Sequence, residues 1–177
     1  MAQLASLEEE KPTFRKAKEV ILAKNRGGLE VIDFKVLNYL THRAMSDISS
    51  RELHRVSVKE LLVFMGHSST SRLTESLSRL GKANIDIDYK DEAGKDHTAV
   101  VHYLSYDMTK TEDGYVVLAF DPLLVSMLTD PAIYGTLNIR SFKNFRSAYS
   151  MKLYEILSLY VRRQHPVWHV EMDELRE

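Results

Sequence analysis

The stretch Ser57–Tyr89, SVKELLVFMGHSSTSRLTESLSRLGKANIDIDY, decides the fold. Ser57 precedes a short apolar run, and Glu60 follows it at the spacing of a capping box, in which each side chain accepts from the other's backbone N–H. Gly66 ends the run, and glycine is the residue that most readily adopts the left-handed conformation after a helix. These signals predict a first helix of about two turns.

A second helix and a strand are predicted directly after it. The polar run 67–71 forms a turn, and Leu73, Leu77 and Leu80 then recur at helical spacing. Over 84–90, isoleucines alternate with aspartates, which is the period of a half-buried strand. Two helices joined by a tight turn and followed by a strand indicate a winged helix-turn-helix.

The second helix carries the candidate binding residues. If its leucines face the core, Arg72, Glu75, Ser76 and Arg79 are predicted to share the opposite face. In a helix-turn-helix, the N-terminal part of the second helix enters the major groove, where hydroxyls reach phosphates and arginine pairs with guanine. A merely solvated polar face would have the same composition. The predicted DNA-binding set is Ser68, Ser69, Thr70, Ser71, Arg72, Glu75, Ser76 and Arg79.

The composition excludes several classes of protein. The chain has 177 residues, 44% hydrophobic and 28% charged, which is typical of a globular protein of about one domain. It contains no cysteine, and His165 and His169, the one HxxxH pair among its seven histidines, straddle Pro166 and are not expected to share a helical face. We therefore expect no disulfide, metal, cofactor or catalytic apparatus, and a binding protein rather than an enzyme. No apolar run approaches membrane-spanning length, so we expect no membrane partner and a cytoplasmic location.

Charge is segregated along the chain. Residues 57–83 carry four basic and two acidic side chains (net +2), 84–130 carry three and ten (net −7), and 131–167 carry six and one (net +5). If the two basic segments share a face, that face can follow a phosphate backbone. The weaker candidates for backbone contact are Lys59, Lys82, Arg140, Lys143 and Arg146.

The remaining chain completes an α+β architecture. A helix is predicted over 32–46, and strands over 84–90, 97–108 and 115–120 are predicted to form a single antiparallel three-stranded wing sheet. A short helix begins at Asp121-Pro122. A strand is predicted over 168–171 and the first turn of a helix over 172–177. We divide the chain into an N-terminal arm, 1–28, and a winged-helix domain, 29–177.

A long C-terminal helix is predicted over 141–163. Its apolar residues fall on one stripe, which is expected to face the core. The stripe consists of Phe145, Tyr149, Leu153, Ile156, Leu157 and Tyr160.

The segment 121–157, DPLLVSMLTDPAIYGTLNIRSFKNFRSAYSMKLYEIL, resembles plasmid replication initiators of the Rep family with tandem winged helices. The landmarks are Tyr-x-x-Leu-Asn over 134–138, Ser-x-Tyr…Leu-Tyr-Glu over 147–155, Asn-Tyr-Leu over 38–40 and VSVKELLVFMG over 56–66. Ala148 departs from the pattern, because a basic residue is expected there. A phosphate contact at that turn is therefore not carried over.

The resemblance implies a replication function. Such initiators bind double-stranded DNA, as monomers at origin repeats (iterons) and as dimers at an inverted repeat in their own operator, and they act with host replication factors. The chain would then be the first, dimerising winged helix of two. Two alternatives remain open: a winged-helix transcriptional repressor, and a dimerisation module without DNA contact that pairs through a strand edge within Val100–Phe120.

Overall fold

The computed structural model describes residues 12–66, 69–111 and 113–171. Within them the chain forms seven helices and eight strands, in three antiparallel sheets of order β1-β8, β2-β4-β5 and β3-β7-β6. The elements are β1 Thr13–Ala17, α1 Lys18–Leu22, β2 Lys24–Asn25, α2 Val31–Ala44, β3 His54–Ser57, α3 Val58–Met65, α4 Thr70–Lys82, β4 Asn84–Lys90, β5 Asp96–His102, β6 Leu104–Met108, β7 Tyr115–Phe120, α5 Pro122–Thr129, β8 Tyr134–Asn138, α6 Ile139–Phe142 and α7 Ala148–Ser158.

The local signals at the helix-turn-helix are present. Ser57 caps α3 by accepting from the backbone N–H of Glu60 at 3.5 Å, and Gly66 ends that helix with φ 71°. Glu60 does not complete a capping box, because its carboxylate lies 3.6 Å from the guanidinium of Arg43 on α2. Helices α2, α3 and α4 pack together over a core in which Leu73, Leu77 and Leu80 are fully buried.

The order α2, β3, α3, α4, β6, β7 is that of a winged helix, and it is built on the sheet β3-β7-β6. The predicted single wing sheet is wrong, because the strands divide between two sheets. β4 and β5 form a hairpin inserted between α4 and the wing, and it pairs with β2 instead. Tyr103 and Leu104 are both buried, which breaks the alternation of the strand. The chain therefore changes sheet there, and the wing is β6–β7 alone.

Residues 13–25 are part of the folded body, although they were predicted as an arm. β1 pairs with β8 over five residues, from Thr13 opposite Asn138 to Ala17 opposite Tyr134, and β2 pairs with β4. Residues 1–11 lie outside the described part of the chain, as do 172–177, where a helical turn was predicted. The predicted strand over 168–171 does not form; Trp168 instead lies against the ring of Tyr160.

The predicted long C-terminal helix is interrupted. α6 ends at Phe142, the chain turns over 143–147, and α7 begins at Ala148, so α2 is the longest described helix. Phe142 and Phe145 both contact the ring of Tyr154, with centroids 5.6 and 5.4 Å away. The hydroxyl of Tyr154 accepts from the backbone N–H of Asn138 at 2.8 Å. This aromatic cluster accounts for the turn, because it brings Phe142, which precedes the turn, and Phe145, which lies within it, onto the ring of Tyr154.

The faces of α7 are reversed from the prediction. Tyr149, Leu153 and Leu157, spaced four residues apart, are exposed, Tyr149 by 71%. Met151 and Glu155 are buried instead. The predicted apolar stripe is therefore largely a surface stripe.

Polar contacts with β1 and α1 hold the buried face of α7. The ammonium of Lys16 on β1 donates to the carboxylate of Glu155 at 2.7 Å and to the side-chain oxygen of Asn38 at 3.1 Å. Lys152 donates to the carbonyls of Ile21 and Ala23 at the end of α1. Burial lowers the pKa of Lys152 to about 8. Polar residues face inward here because β1 and α1 supply their partners.

Candidate nucleic-acid interface

Helix α4 presents its outer face between α2 and the wing. Ser71, Glu75 and Lys82 are exposed along this face and Ser78 is half-buried. The hydroxyl of Ser71 donates to the carboxylate of Glu75 at 3.2 Å. The N-terminal turn of α4 thus offers hydroxyls, a carboxylate and, on its flank, the exposed side chain of Arg72. These groups can hydrogen-bond to phosphates and base edges.

The predicted outer face of α4 is rotated relative to the face that is exposed in the structure. Ser76 is fully buried, so its predicted place on the outer face is wrong. It lies beneath the helix because the core side of α4 extends from Leu73 through Ser76 to Leu80. Four of the remaining predicted residues lie in the exposed or half-buried first turn: Ser69, Thr70, Ser71 and Arg72. Ser68 lies outside the described residues.

Arg79 does not project outward either. Its guanidinium makes a two-pronged contact with Asp33 of α2, Nε to Oδ2 at 2.7 Å and Nη2 to Oδ1 at 2.9 Å. Glu30 lies 3.7 Å from the same guanidinium. The hydrogen bond with Asp33 raises the pKa of Arg79. This arginine joins two helices of the domain.

A groove of about 830 Å³ separates α4 from the N-terminus of α2 and the turn before α7. Its walls carry the side chains of Lys35, Arg72, Arg79 and Arg146 together with the carboxylates of Glu30 and Glu75. Lys35 donates to the backbone carbonyl of Lys143 at 2.8 Å, and burial lowers the pKa of this lysine. The structure thereby brings the basic turn 143–146 beside the helix-turn-helix, as the charge pattern suggested. All five predicted backbone candidates are exposed: Lys59, Lys82, Arg140, Lys143 and Arg146.

The wing stands on the other side of α4. The hydroxyl of Thr74 contacts the sulfur of Met108 on β6 at 3.7 Å, which places the wing strands against the helix. In the turn between β6 and β7, the backbone carbonyl of Gly114 accepts from the N–H of Val58, the first residue of α3, at 3.0 Å. A Cβ at Gly114 would stand 2.7 Å from the carbonyl oxygen of Thr109, so only glycine fits this close turn. Lys110 is exposed near the tip.

Half of the ten acidic side chains of segment 84–130 lie on the inserted hairpin β4–β5. Several carboxylates of the hairpin have nearby partners: Asp86 contacts Arg26 at 2.7 Å, Asp96 contacts Lys90 at 2.6 Å, and Asp91 lies 3.1 Å from the imidazole of His97. The stacked rings of Tyr89 and His97 cross the hairpin. Local pairing therefore moderates the negative charge that follows α4.

Sequence reasoning missed Ser78, Lys35 and the role of Asp33. If Ser76 is placed on the buried side of α4, helical spacing puts Ser71 and Ser78 on the outer face, and this would have identified Ser78. In the sequence, Asp33 falls in the first turn of a predicted helix, where the helix dipole favours any anion. No local signal reveals its partner Arg79, which lies 46 residues away. In the described segments, no group of three or more histidine, aspartate or glutamate side chains could hold a metal ion.

Comparison with known proteins identifies the family. Residues 13–158 match the family described as initiator replication protein, WH1. The chain belongs to this family. The resemblance to replication initiators is thereby confirmed, and the matched range includes β1 and α7, which flank the winged helix in this initiator domain. No curated protein sequence matches the chain.

Two crystal structures of RctB domains 2 and 3 are similar to this initiator domain in fold. One has a TM-score of 0.51 at 10% identity and covers 88% of the chain, and the chain covers 66% of it. The other, a selenomethionine derivative, has a TM-score of 0.48 at 13% identity, with coverages of 86% and 65%. The chain thus spans slightly less than two thirds of either structure. No helix among the described ranges is long and apolar enough to cross a membrane.

Proposed function

We propose that this initiator domain binds double-stranded DNA through the N-terminal half of α4. The observation that carries the proposal is the exposed first turn of α4 between a wing and a groove whose walls carry Arg72 and Arg146, in a chain of the initiator family. Ser71, Arg72 and Glu75 would meet base edges and phosphates in the major groove. Lys143, Arg146 and the wing residue Lys110 would follow the phosphate backbone.

The target we propose is a set of origin repeats of a plasmid, with an inverted repeat in the operator as a second target. The domain would act in the cytoplasm as the first of two winged helices, together with host replication factors, and would control plasmid copy number. A winged-helix repressor is the alternative within the same binding class. Selection from a randomised duplex library separates the two. Directly repeated sites, alone or beside an inverted repeat, support origin binding, and an inverted repeat without any directly repeated site supports the repressor.

Replacing Arg72 by alanine is expected to weaken binding to the selected duplex by about 1–3 kcal/mol, or roughly 5- to 150-fold, if Arg72 reads a base. Fluorescence anisotropy at fixed salt measures the change. Binding of a scrambled duplex of the same composition should fall much less, since it lacks the base contact. An affinity of Arg72→Ala equal to that of the natural chain on both duplexes would remove this role.

A matched control distinguishes base contact from backbone contact. Arg146→Gln, in the same groove, should weaken binding to both duplexes equally and reduce the slope of log affinity against log salt by about 0.9. Lys143→Gln should behave in the same way. A slope that neither variant changes would place the DNA backbone elsewhere.

We also propose that the domain forms a homodimer through the outer edge of β5. β5 lies at the end of the sheet β2-β4-β5, and among the described segments no strand pairs with its outer side. Val100 on this strand is 53% exposed, and the strand DHTAVVH contains no lysine, proline or glycine that would oppose pairing. Two β5 strands related by a two-fold axis would form one continuous sheet.

Val100→Lys is expected to weaken the dimer about tenfold, because the charge enters the interface twice. Sedimentation equilibrium measures the dissociation constant. Leu153→Glu on the exposed face of α7 is the matched control and should leave the dimer intact. Dissociation by Leu153→Glu alone would move the interface to α7. A dimer that binds neither the selected nor the scrambled duplex would favour an interaction module instead.

A further inference from the structure

The contact between Arg79 and Asp33 joins the two helices on which DNA docking depends. Asp33 is 0% exposed, and Arg79 meets both of its carboxylate oxygens within 2.9 Å. The same carboxylate also accepts from the backbone N–H of Glu30 at 2.8 Å, which completes a capping box at the start of α2. One buried side chain therefore fixes the end of α2 and holds the third turn of α4.

This geometry makes Arg79 unsuitable as a phosphate contact. Turning its guanidinium toward DNA would leave the fully buried carboxylate of Asp33 without its cation. The penalty for an unpaired buried charge exceeds what one solvent-exposed contact returns. Arg72, which lies two turns earlier on the same flank of α4, is exposed, whereas Arg79 is half-buried. Two arginines of one helix thus have different environments.

Because Arg79 lies far from the DNA-facing end of α4, a small change at its contact with Asp33 would displace that end by a larger distance. Eight residues separate Arg79 from Ser71, a distance of about 12 Å along the helix. A change of about 10° in the direction of α4, pivoting near Arg79, would move its first turn by about 2 Å. Such a displacement exceeds the tolerance of a bidentate hydrogen bond to a base, although a phosphate contact through a flexible lysine would survive it.

We propose that Asp33 and Arg79 are a positioning pair that sets the angle at which α4 enters the major groove, and hence sequence discrimination. The proposal rests on the proposed function of α4 in DNA binding. Neither residue touches DNA. The pair differs from Arg72 and Arg146 in its effect, because it changes the ratio of affinities for matched and scrambled duplexes and not the number of phosphates contacted.

The test compares Arg79→Lys and Arg79→Gln in the full chain. Lysine keeps the charge and could replace arginine at a phosphate, but it cannot form the two-pronged contact with Asp33. The probes are the duplex selected by the natural chain and its scrambled counterpart, titrated over a salt series. We expect both variants to reduce the affinity ratio about tenfold while the salt slope stays unchanged. A preserved ratio in Arg79→Lys, with a slope reduced by about 0.9 in Arg79→Gln, would overturn the proposal.

Asp33→Asn supplies an independent measurement at the other end of the contact. The amide retains an oxygen for the N–H of Glu30 but weakens the attraction to Arg79. We expect it to lower the affinity ratio as much as Arg79→Lys does, and the double variant to lower it no further, because both changes remove one interaction. Additive losses would show that Arg79 and Asp33 act separately and would contradict the proposal.

A measurement without DNA separates this inference from the proposed function. Residual dipolar couplings of backbone amides report the angle between α2 and α4 in the natural chain and in Arg79→Lys. We expect this angle to change in the variant while the couplings within each helix remain those of a regular helix. An unchanged angle would refute the positioning role. If the natural chain does not discriminate between duplexes but the angle changes, the proposed function fails and the pair still orients α4.

Discussion

Replacing Lys16 by methionine is expected to lower the free energy of unfolding by about 3–5 kcal/mol. Lys16 and Glu155 are both more than nine-tenths buried, and their charged atoms lie 2.7 Å apart. Methionine fills the space of the lysine stem but leaves the carboxylate of Glu155 buried without its cation. Urea denaturation followed by far-UV circular dichroism measures the change, provided that the denaturant slope stays constant.

The double variant Lys16→Met with Glu155→Leu separates the ion pair from the packing around it. Removing both charges should restore a large part of the lost stability, because apolar replacement of a whole buried pair is often neutral. Asn38 would keep its hydrogen bond to the carbonyl of Phe34 at 2.9 Å. If Lys16→Met costs less than about 1 kcal/mol, the pair does not hold α7 to β1 and the buried face of α7 is misassigned.

Met151→Ala and Leu153→Ala are expected to differ strongly although they lie two residues apart on α7. Met151 is 2% exposed, and its truncation should cost about 2–5 kcal/mol through lost burial and the cavity left behind. Leu153 is 39% exposed, so its truncation should cost less than about 1 kcal/mol. The reverse order would restore the orientation predicted from the apolar stripe. The comparison is internally controlled, because both changes leave alanine, the best helix former, in the same helix.

The stripe of α7 and the outer edge of β5 both carry large apolar side chains that are exposed in the described part of the fold. The control Leu153→Glu in the dimer experiment therefore also tests whether the stripe is occupied in solution. Contiguous apolar surface of this kind marks an interaction site more often than chance exposure does. The stability comparison and the sedimentation comparison together show whether α7 contributes to the core, to an interface or to neither.

Structure that depends on neighbouring residues was predictable. Ser57 and Gly66 mark the ends of α3, and Asp121-Pro122 starts α5, with the Asp121 carboxylate accepting from Leu123 N–H at 2.9 Å. The leucines of α4 and the alternation of β4 were also confirmed. Caps, fixed φ angles and periodicity act over a few residues, so a sequence read locally contains them.

The candidate interface was predicted in part. The first turn of α4 and the cations Lys143 and Arg146 were predicted as DNA contacts from residue type and charge, and the fold brings Arg72 and Arg146 to one groove. The rotation of α4 was not predicted. Its buried side includes Ser76, and the polarity of serine indicates an exposed position. The side chain of Arg79 was also assigned to the wrong environment, because charge alone does not reveal a buried partner on another helix.

By itself, the sequence determined that two helices, a turn and a strand follow one another from Ser57, and that the chain carries the landmarks of a replication initiator. Only the tertiary structure decided which face of α7 is buried, where the strands divide between sheets, and which arginine of α4 is exposed. The physical reason is that the contacting residues are far apart in the sequence. Lys16 and Glu155 are 139 residues apart and Asp33 and Arg79 are 46 apart, and a favourable partner at that separation can place a charged side chain inward and an apolar one outward.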